Sequence, residues 1–157
     1  MIEKCQKRIW MTNAYFVPDN FLLKALVDAA DTGVDVRIIL PKKSDLRFMT
    51  WASATFHENL LKAGIRIFEY VPSILHAKTL IIDDWVLVGS SNMNYRSLLH
   101  DLEVDINVAS LTAKKTLEQQ FLTDQQACKE IFLKKWMQRP LRQRIMGRLI
   151  LYLKYFI

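Results

Sequence analysis

The spacing of apolar and polar positions divides the chain into alternating strands and helices. Residues 8–16 are rich in aromatic and branched side chains and predict a strand, which Pro18 ends. Asp19 is placed to cap a helix, because its carboxylate can accept a backbone N–H of the first turn. Leu22, Leu23, Leu26 and Val27 form the helical stripe, and Gly33 marks its end. Residues 34–40 predict a second strand, stopped by Pro41. Over residues 45–63 the spacing predicts one helix with Phe48, Trp51, Ala52, Phe56 and Leu60 on its apolar face. Residues 65–70, 77–82 and 85–88 read as strands, the last two joined by Asp83-Asp84. Residues 103–109 alternate Glu103, Asp105 and Asn107 with Val104, Ile106 and Val108, which predicts a strand with Glu103 on its polar face. Residues 112–134 read as a long helix, and the stretch beyond Pro140 as another.

Strands interleaved with helices predict an α/β domain with a substantially parallel or mixed sheet flanked by helices. At 157 residues, 51% of them hydrophobic, the chain has the size and apolar content for one core. Charge adds a division. Seven of the 22 cations fall in residues 134–157, which hold no acid, so the first 133 residues carry 15 cations against all 16 acids. A near-neutral body, 1–133, is therefore followed by a basic amphipathic tail, 134–157. The tail interleaves Arg139, Arg142, Arg144 and Arg148 with Leu141, Ile145, Leu149 and Ile150. That composition fits an anionic membrane surface. It also fits a nucleic-acid arm or a helix packed on the body, but its apolar content favours the membrane. No apolar run approaches the ~20 residues needed to span a bilayer, and no signal peptide is visible.

Cys5 and Cys128 are far apart and read as free thiols; with His57, His76 and His100 they show no metal-ligand spacing, so no metal or other cofactor is expected. His57 is expected at the surface of its helix, and Trp10, Trp51 and Trp85 in the core.

The chemistry is concentrated in His76-Ala77-Lys78, Asp83 and Gly89-Ser90-Ser91-Asn92. If residues 77–82 are a strand, His76 and Lys78 share a face. An imidazole beside a fixed cation suits phosphoryl transfer: the ring attacks phosphorus or protonates a leaving oxygen while the ammonium holds phosphate charge. This run resembles the H-x-K-x4-D and G-S-x-N signature of the phospholipase D superfamily, with five residues instead of six between Asp83 and Gly89. Tyr15-Phe16-Val17-Pro18-Asp19 and Gly33-Val34-Asp35-Val36-Arg37 are similar to segments of the second half of bacterial cardiolipin synthases.

The resemblance implies a phosphatidyltransferase that acts on phosphatidylglycerol through a phosphohistidine intermediate, peripheral on the cytoplasmic face of a bacterial inner membrane. It assigns catalysis to His76, Lys78, Asp83 and Glu103, with Glu103 holding the histidine tautomer. Phosphate binding falls to Lys78, Ser90 and Asn92, and Gly89 allows close backbone approach. The mechanism needs two such motifs, and this chain has one. A homodimer mate or a missing N-terminal half would supply the second, and the first strand suggests a fragment. The rival readings are a dimeric nuclease of the same superfamily and an inactive truncated half.

Overall fold

In the computed structural model of the chain, which describes residues 1–140, 145–147, 149, 150 and 152, seven strands form one mixed sheet. The strands are β1 (Arg8–Thr12), β2 (Asp35–Pro41), β3 (Arg66–Tyr70), β4 (Thr79–Ile82), β5 (Trp85–Gly89), β6 (Asp105–Asn107) and β7 (Cys128–Ile131). Their order is β6-β5-β4-β1-β2-β3-β7. The helices are α1 (Asn20–Asp31), α2 (Arg47–Ser53), α3 (His57–Lys62), α4 (Tyr95–Leu99), α5 (Leu111–Gln126) and α6 (Leu133–Met137). Strands β1, β2 and β3 run parallel; β4 is antiparallel to β1, β5 to β4, β6 to β5, and β7 to β3.

The period-two alternation of the central strands builds two cores, one on each face of the sheet. Ile9, Met11, Val36, Ile38, Leu40, Leu80 and Ile82 face one way, against Leu26, Ala29 and Leu60 of α1 and α3. Trp10, Ile39, Phe68 and Ile81 face the other way, against Phe121 of α5. Trp10 stacks on Phe121 at 5.1 Å between ring centroids, and its indole N–H donates to Asp35 at 2.9 Å. Asp19 caps α1 through a 2.7 Å bond from the Leu22 N–H, and Gly33 adopts φ 91° after the helix, a conformation that glycine takes without a Cβ penalty.

Several expectations need correction. The helix expected over 45–63 is two helices, with Phe48 and Trp51 37% and 40% exposed. The Thr55 hydroxyl donates to the Ala52 carbonyl at 2.7 Å, and the backbone tightens to i→i+3 bonds there, so the ladder breaks. His57, expected at the surface, opens α3 and is only 4% exposed. The expected helix over 112–134 ends at Gln126, and Cys128–Ile131 returns as an edge strand pinned by Glu130 to Arg66 at 2.8 Å. The strand expected over 103–109 shortens to Asp105–Asn107. It lies at the open edge of the sheet, so Val104 and Ile106 are 70% and 64% exposed.

At the junction expected between body and tail, α6 lies against α3, with Trp136 over His57 at 4.7 Å. Arg139 is folded onto the body: its guanidinium stacks 3.6 Å above Trp136 and donates to the Ala54 carbonyl. Arg142, Arg144 and Arg148 lie outside the described residues. Among the described residues, no helix is long and apolar enough to cross a membrane.

Candidate active site

The sheet topology gathers the polar motif residues at one edge. Strand β5 runs the same way as β1, β2 and β3, while β4 and β6 run opposite. The C-terminal ends of four strands and the N-terminal ends of three, β4, β6 and β7, therefore meet at that edge. Tyr15 follows β1, Asp45 follows β2, His76 and Lys78 lie between β3 and β4, Ser90 and Asn92 follow β5, and Glu103 precedes β6. Loops at the carboxyl ends of parallel strands are where open α/β sheets bind ligands.

His76 and Lys78 precede β4 instead of lying within it, so the shared-face argument does not apply as stated. Their proximity has another origin. The Lys78 ammonium donates to the backbone carbonyl of His76 at 3.1 Å, which turns the lysine back along the loop. The Lys78 backbone carbonyl also accepts the Gly89 N–H at 3.2 Å, tying the loop to the end of β5. His76 is exposed and Lys78 half-buried. Burial lowers the lysine pKa, while the charges of Glu103 and Asp45 oppose that shift. The Tyr15 ring meets the His76 imidazole edge-on at 5.8 Å.

The turn after β5 is tightly held. A Cβ on Gly89 would lie 1.9 Å from an Asp105 carboxylate oxygen and 2.5 Å from the Val104 carbonyl, so only glycine fits. Ser90 donates to Glu103 through its hydroxyl and accepts the Val104 N–H at 3.0 Å. Ser91 donates to Asp105. The Asn92 N–H donates to Ser97 at 2.8 Å, and Ser97 in turn donates to Glu103. Asn13 clamps the turn from the other side, accepting the Met93 N–H at 3.1 Å. Asn94 caps α4 by accepting the Ser97 N–H. Within this network the buried Asn92 side-chain oxygen has no partner among the described residues. That leaves an acceptor for a ligand hydroxyl or a water.

Two assigned residues have other partners. Glu103 accepts hydrogen bonds from Ser90 and Ser97, and among the described residues none links it to His76. Asp83 lies at the opposite edge, in the turn between β4 and β5, and is not brought to His76. It adopts φ 49° and accepts the N–H groups of Gln6, Lys7 and Arg8 at 3.0, 2.8 and 3.1 Å. Cys5 Sγ approaches it at 3.3 Å. Those bonds, led by Gln6, pull its carboxyl down to about 2. The sequence alone assigned no role to Asn13, Ser97 or Asp45.

A separate cavity of about 50 Å³ is lined by Phe16, Ser53, His57, Glu69 and Trp136. Burial, and secondarily the Arg139 charge, pushes His57 down to about 3, so its ring is neutral. Among the described residues, no group of three or more His, Cys, Asp or Glu side chains is arranged to hold a metal.

The chain is similar to known proteins in sequence and in fold. The family model for the cardiolipin synthase, phospholipase D-like domain matches residues 1–125. A cardiolipin synthase of Clostridium perfringens is 37% identical over 146 residues, 92% of this chain and 31% of that protein. One from a Geobacillus strain is 38% identical, with 29% of its length covered. The chain thus spans about 30% of the length of these relatives. The phosphatidylserine synthase of Haemophilus influenzae superposes with a TM-score of 0.74 at 17% identity, over 98% of this chain and 42% of that one. Nuc of Salmonella typhimurium, a phospholipase D family member, gives 0.70 at 21% identity, over 83% of this chain and 86% of that one. At such identities the structural likeness speaks for the fold. The family match and the curated relatives carry the assignment: the chain belongs to the cardiolipin synthase family of phospholipase D-like domains.

Proposed function

We propose that this chain is one catalytic half of a cardiolipin synthase-like phosphatidyltransferase acting on phosphatidylglycerol. The observation that carries the reading is the exposed His76 beside Lys78, at the edge that also presents Ser90 and Asn92. A His76 ring nitrogen attacks the phosphodiester phosphorus. The bond to the glycerol headgroup breaks, and a second imidazole gives its proton to the departing oxygen. A hydroxyl of another phosphatidylglycerol then attacks the phosphohistidine, returns a proton to that second imidazole and frees His76. The products are cardiolipin and glycerol. Lys78 through its ammonium and Asn92 through its side-chain amide N–H hold phosphate oxygens as charge develops, with Ser90 shaping the turn. Glu103 acts by fixing Ser90 and Ser97.

The second imidazole belongs to another His-x-Lys motif, from a homodimer mate or from a half present in longer relatives. Peripheral binding to an anionic membrane, on the cytoplasmic face of the bacterial inner membrane, rests on Arg142, Arg144 and Arg148. Arg139 is engaged with Trp136 and Ala54.

The test is transfer on phosphatidylglycerol vesicles, with cardiolipin and glycerol measured together and His76→Ala as control. Product lost in the variant supports the reading. No product from a folded, vesicle-bound chain, alone or with the remainder of a longer relative supplied, overturns it. DNA cleavage in place of lipid transfer would move the site to nuclease chemistry.

A further inference from the structure

Asp45 is a carboxylate at this edge that the described mechanism does not use. Asp45 lies on the loop between β2 and α2, exposed to solvent. The Tyr15 hydroxyl donates to it, 2.7 Å from one oxygen and 2.8 Å from the other. The Ser44 hydroxyl donates to the first oxygen at 3.1 Å, and the Leu46 N–H closes the loop on Ser44. These bonds, Tyr15 first, hold the Asp45 carboxyl below its usual range. Burial and the Asp45 contact push the Tyr15 phenol up to about 12, so it stays a donor at neutral pH.

The same tyrosine connects Asp45 to the chemistry, because its ring packs edge-on against His76 at 5.8 Å. Asp45 also acts on Lys78, being one of two carboxylates whose charge opposes the lowering of its pKa. Lys78 is thus influenced by Glu103 and Asp45 together. They differ in exposure: Glu103 is half-buried with each oxygen holding a serine hydroxyl, whereas Asp45 is exposed to solvent. A carboxylate has about four acceptor positions; the Tyr15 hydroxyl spans two and Ser44 takes a third, so Asp45 keeps about one open toward solvent. A fixed, ionised acceptor held one tyrosine ring away from the imidazole matches a neutral hydroxyl donor. It matches an ammonium headgroup less well, since Lys42 and Lys43 occupy the same loop and Lys78 stands nearby.

We infer that Asp45, oriented by Tyr15, is the alcohol subsite of this active site and accepts a hydrogen bond from the diol of a glycerol headgroup. The inference rests on the phosphodiester reading above and adds a determinant of which alcohol departs or attacks. Tyr15 is a positioning residue: it fixes the carboxylate and flanks the imidazole.

The test is direct binding, which needs no turnover. The full chain is titrated by calorimetry with glycerophosphoglycerol and with glycerophosphomethanol, which has the same phosphodiester but lacks the diol. The wild type is expected to prefer the diol ligand by about tenfold, the worth of one bond to a charged acceptor. Asp45→Ala and the near-isosteric Asp45→Asn erase or shrink that preference and leave glycerophosphomethanol affinity within about twofold. Lys78→Ala weakens both ligands alike. Tyr15→Phe gives a partial loss of preference, and Asp45→Glu restores part of it. Equal wild-type affinity for the two ligands, or Asp45 variants that weaken both alike, overturns the subsite and leaves the phosphodiester reading standing. Binding of neither ligand to a chain folded by circular dichroism overturns both.

Discussion

The two edges of the central sheet carry the two halves of one sequence motif and treat polar groups in opposite ways. At the edge where β1 begins, Asp83 is enclosed by donors: three backbone N–H groups and the Cys5 thiol converge on its carboxylate. Its role there is mechanical, fastening the segment before β1 to the β4–β5 turn. At the edge where β1 ends, hydrogen-bonding capacity is kept in reserve. His76 is exposed, Asn92 keeps a buried acceptor without a partner among the described residues, and Asp45 keeps about one acceptor position open. Saturated polar groups build structure, and unsaturated ones at a defined edge are available for chemistry. A strand of four residues, β4, separates the two roles.

The largest way to sharpen that contrast is His76→Ala. Under the proposed function it lowers phosphatidyl transfer by about 10³-fold or more, while the melting temperature stays within a degree or so, since the exposed ring supports little packing. Transfer kinetics with a thermal melt on the same sample check this; a melt lowered by many degrees would make His76 structural too.

Asp83→Ala is expected to do the converse. Removing an ionised acceptor for three backbone donors costs about 2 kcal/mol, read as a lower urea midpoint with an unchanged slope. Binding of glycerophosphomethanol at the other edge should be unaffected, and a large loss there would show that the edges are coupled.

The same residue sets a pH dependence. Its folded pKa, about 2, lies below the ordinary 3.8, so protons bind the unfolded chain more readily. The stabilisation is complete above about pH 4 and is lost as pH falls through about 2. Urea midpoints measured across that interval should fall less steeply for Asp83→Asn than for the wild type. Parallel slopes would show that other carboxylates carry the acid sensitivity.

Glu103→Gln should give the smallest effect, about 1 kcal/mol, because the amide oxygen still accepts one serine hydroxyl. Transfer should fall by roughly tenfold through the loosened Ser90 and Ser97, without the pH shift expected if Glu103 tuned the imidazole directly. A displaced pH optimum in this variant would restore Glu103 as the partner of His76.

Much of the scaffold was legible because local rules and burial agree there. The α1 cap at Asp19, the stop at Gly33 and the alternation of β1, β2 and β4 arise from side chains acting on their own neighbourhood. The expectations failed where a distant partner decided. Strand β7 exists because β3 offers an open edge and Arg66 a partner for Glu130. His57 is buried because α6 crosses it, far along the chain. Val104 and Ile106 keep their apolar alternation but lie on an edge strand with little to cover them. In the site, the spacing of His76, Lys78, Gly89, Ser90 and Asn92 was readable, and Asp45 was not, because Tyr15 is thirty residues away.

By itself the sequence determined the family, the α/β class and the residue types that phosphodiester chemistry requires, since motif spacing and period-two burial are properties of neighbouring residues. Only the tertiary structure decided which of those residues stand together. Strand direction sends His76, Lys78, Ser90, Asn92 and Glu103 to one edge of the sheet and Asp83 to the other. Six residues separate His76 from Asp83 along the chain, and the length of β4 keeps them apart in space.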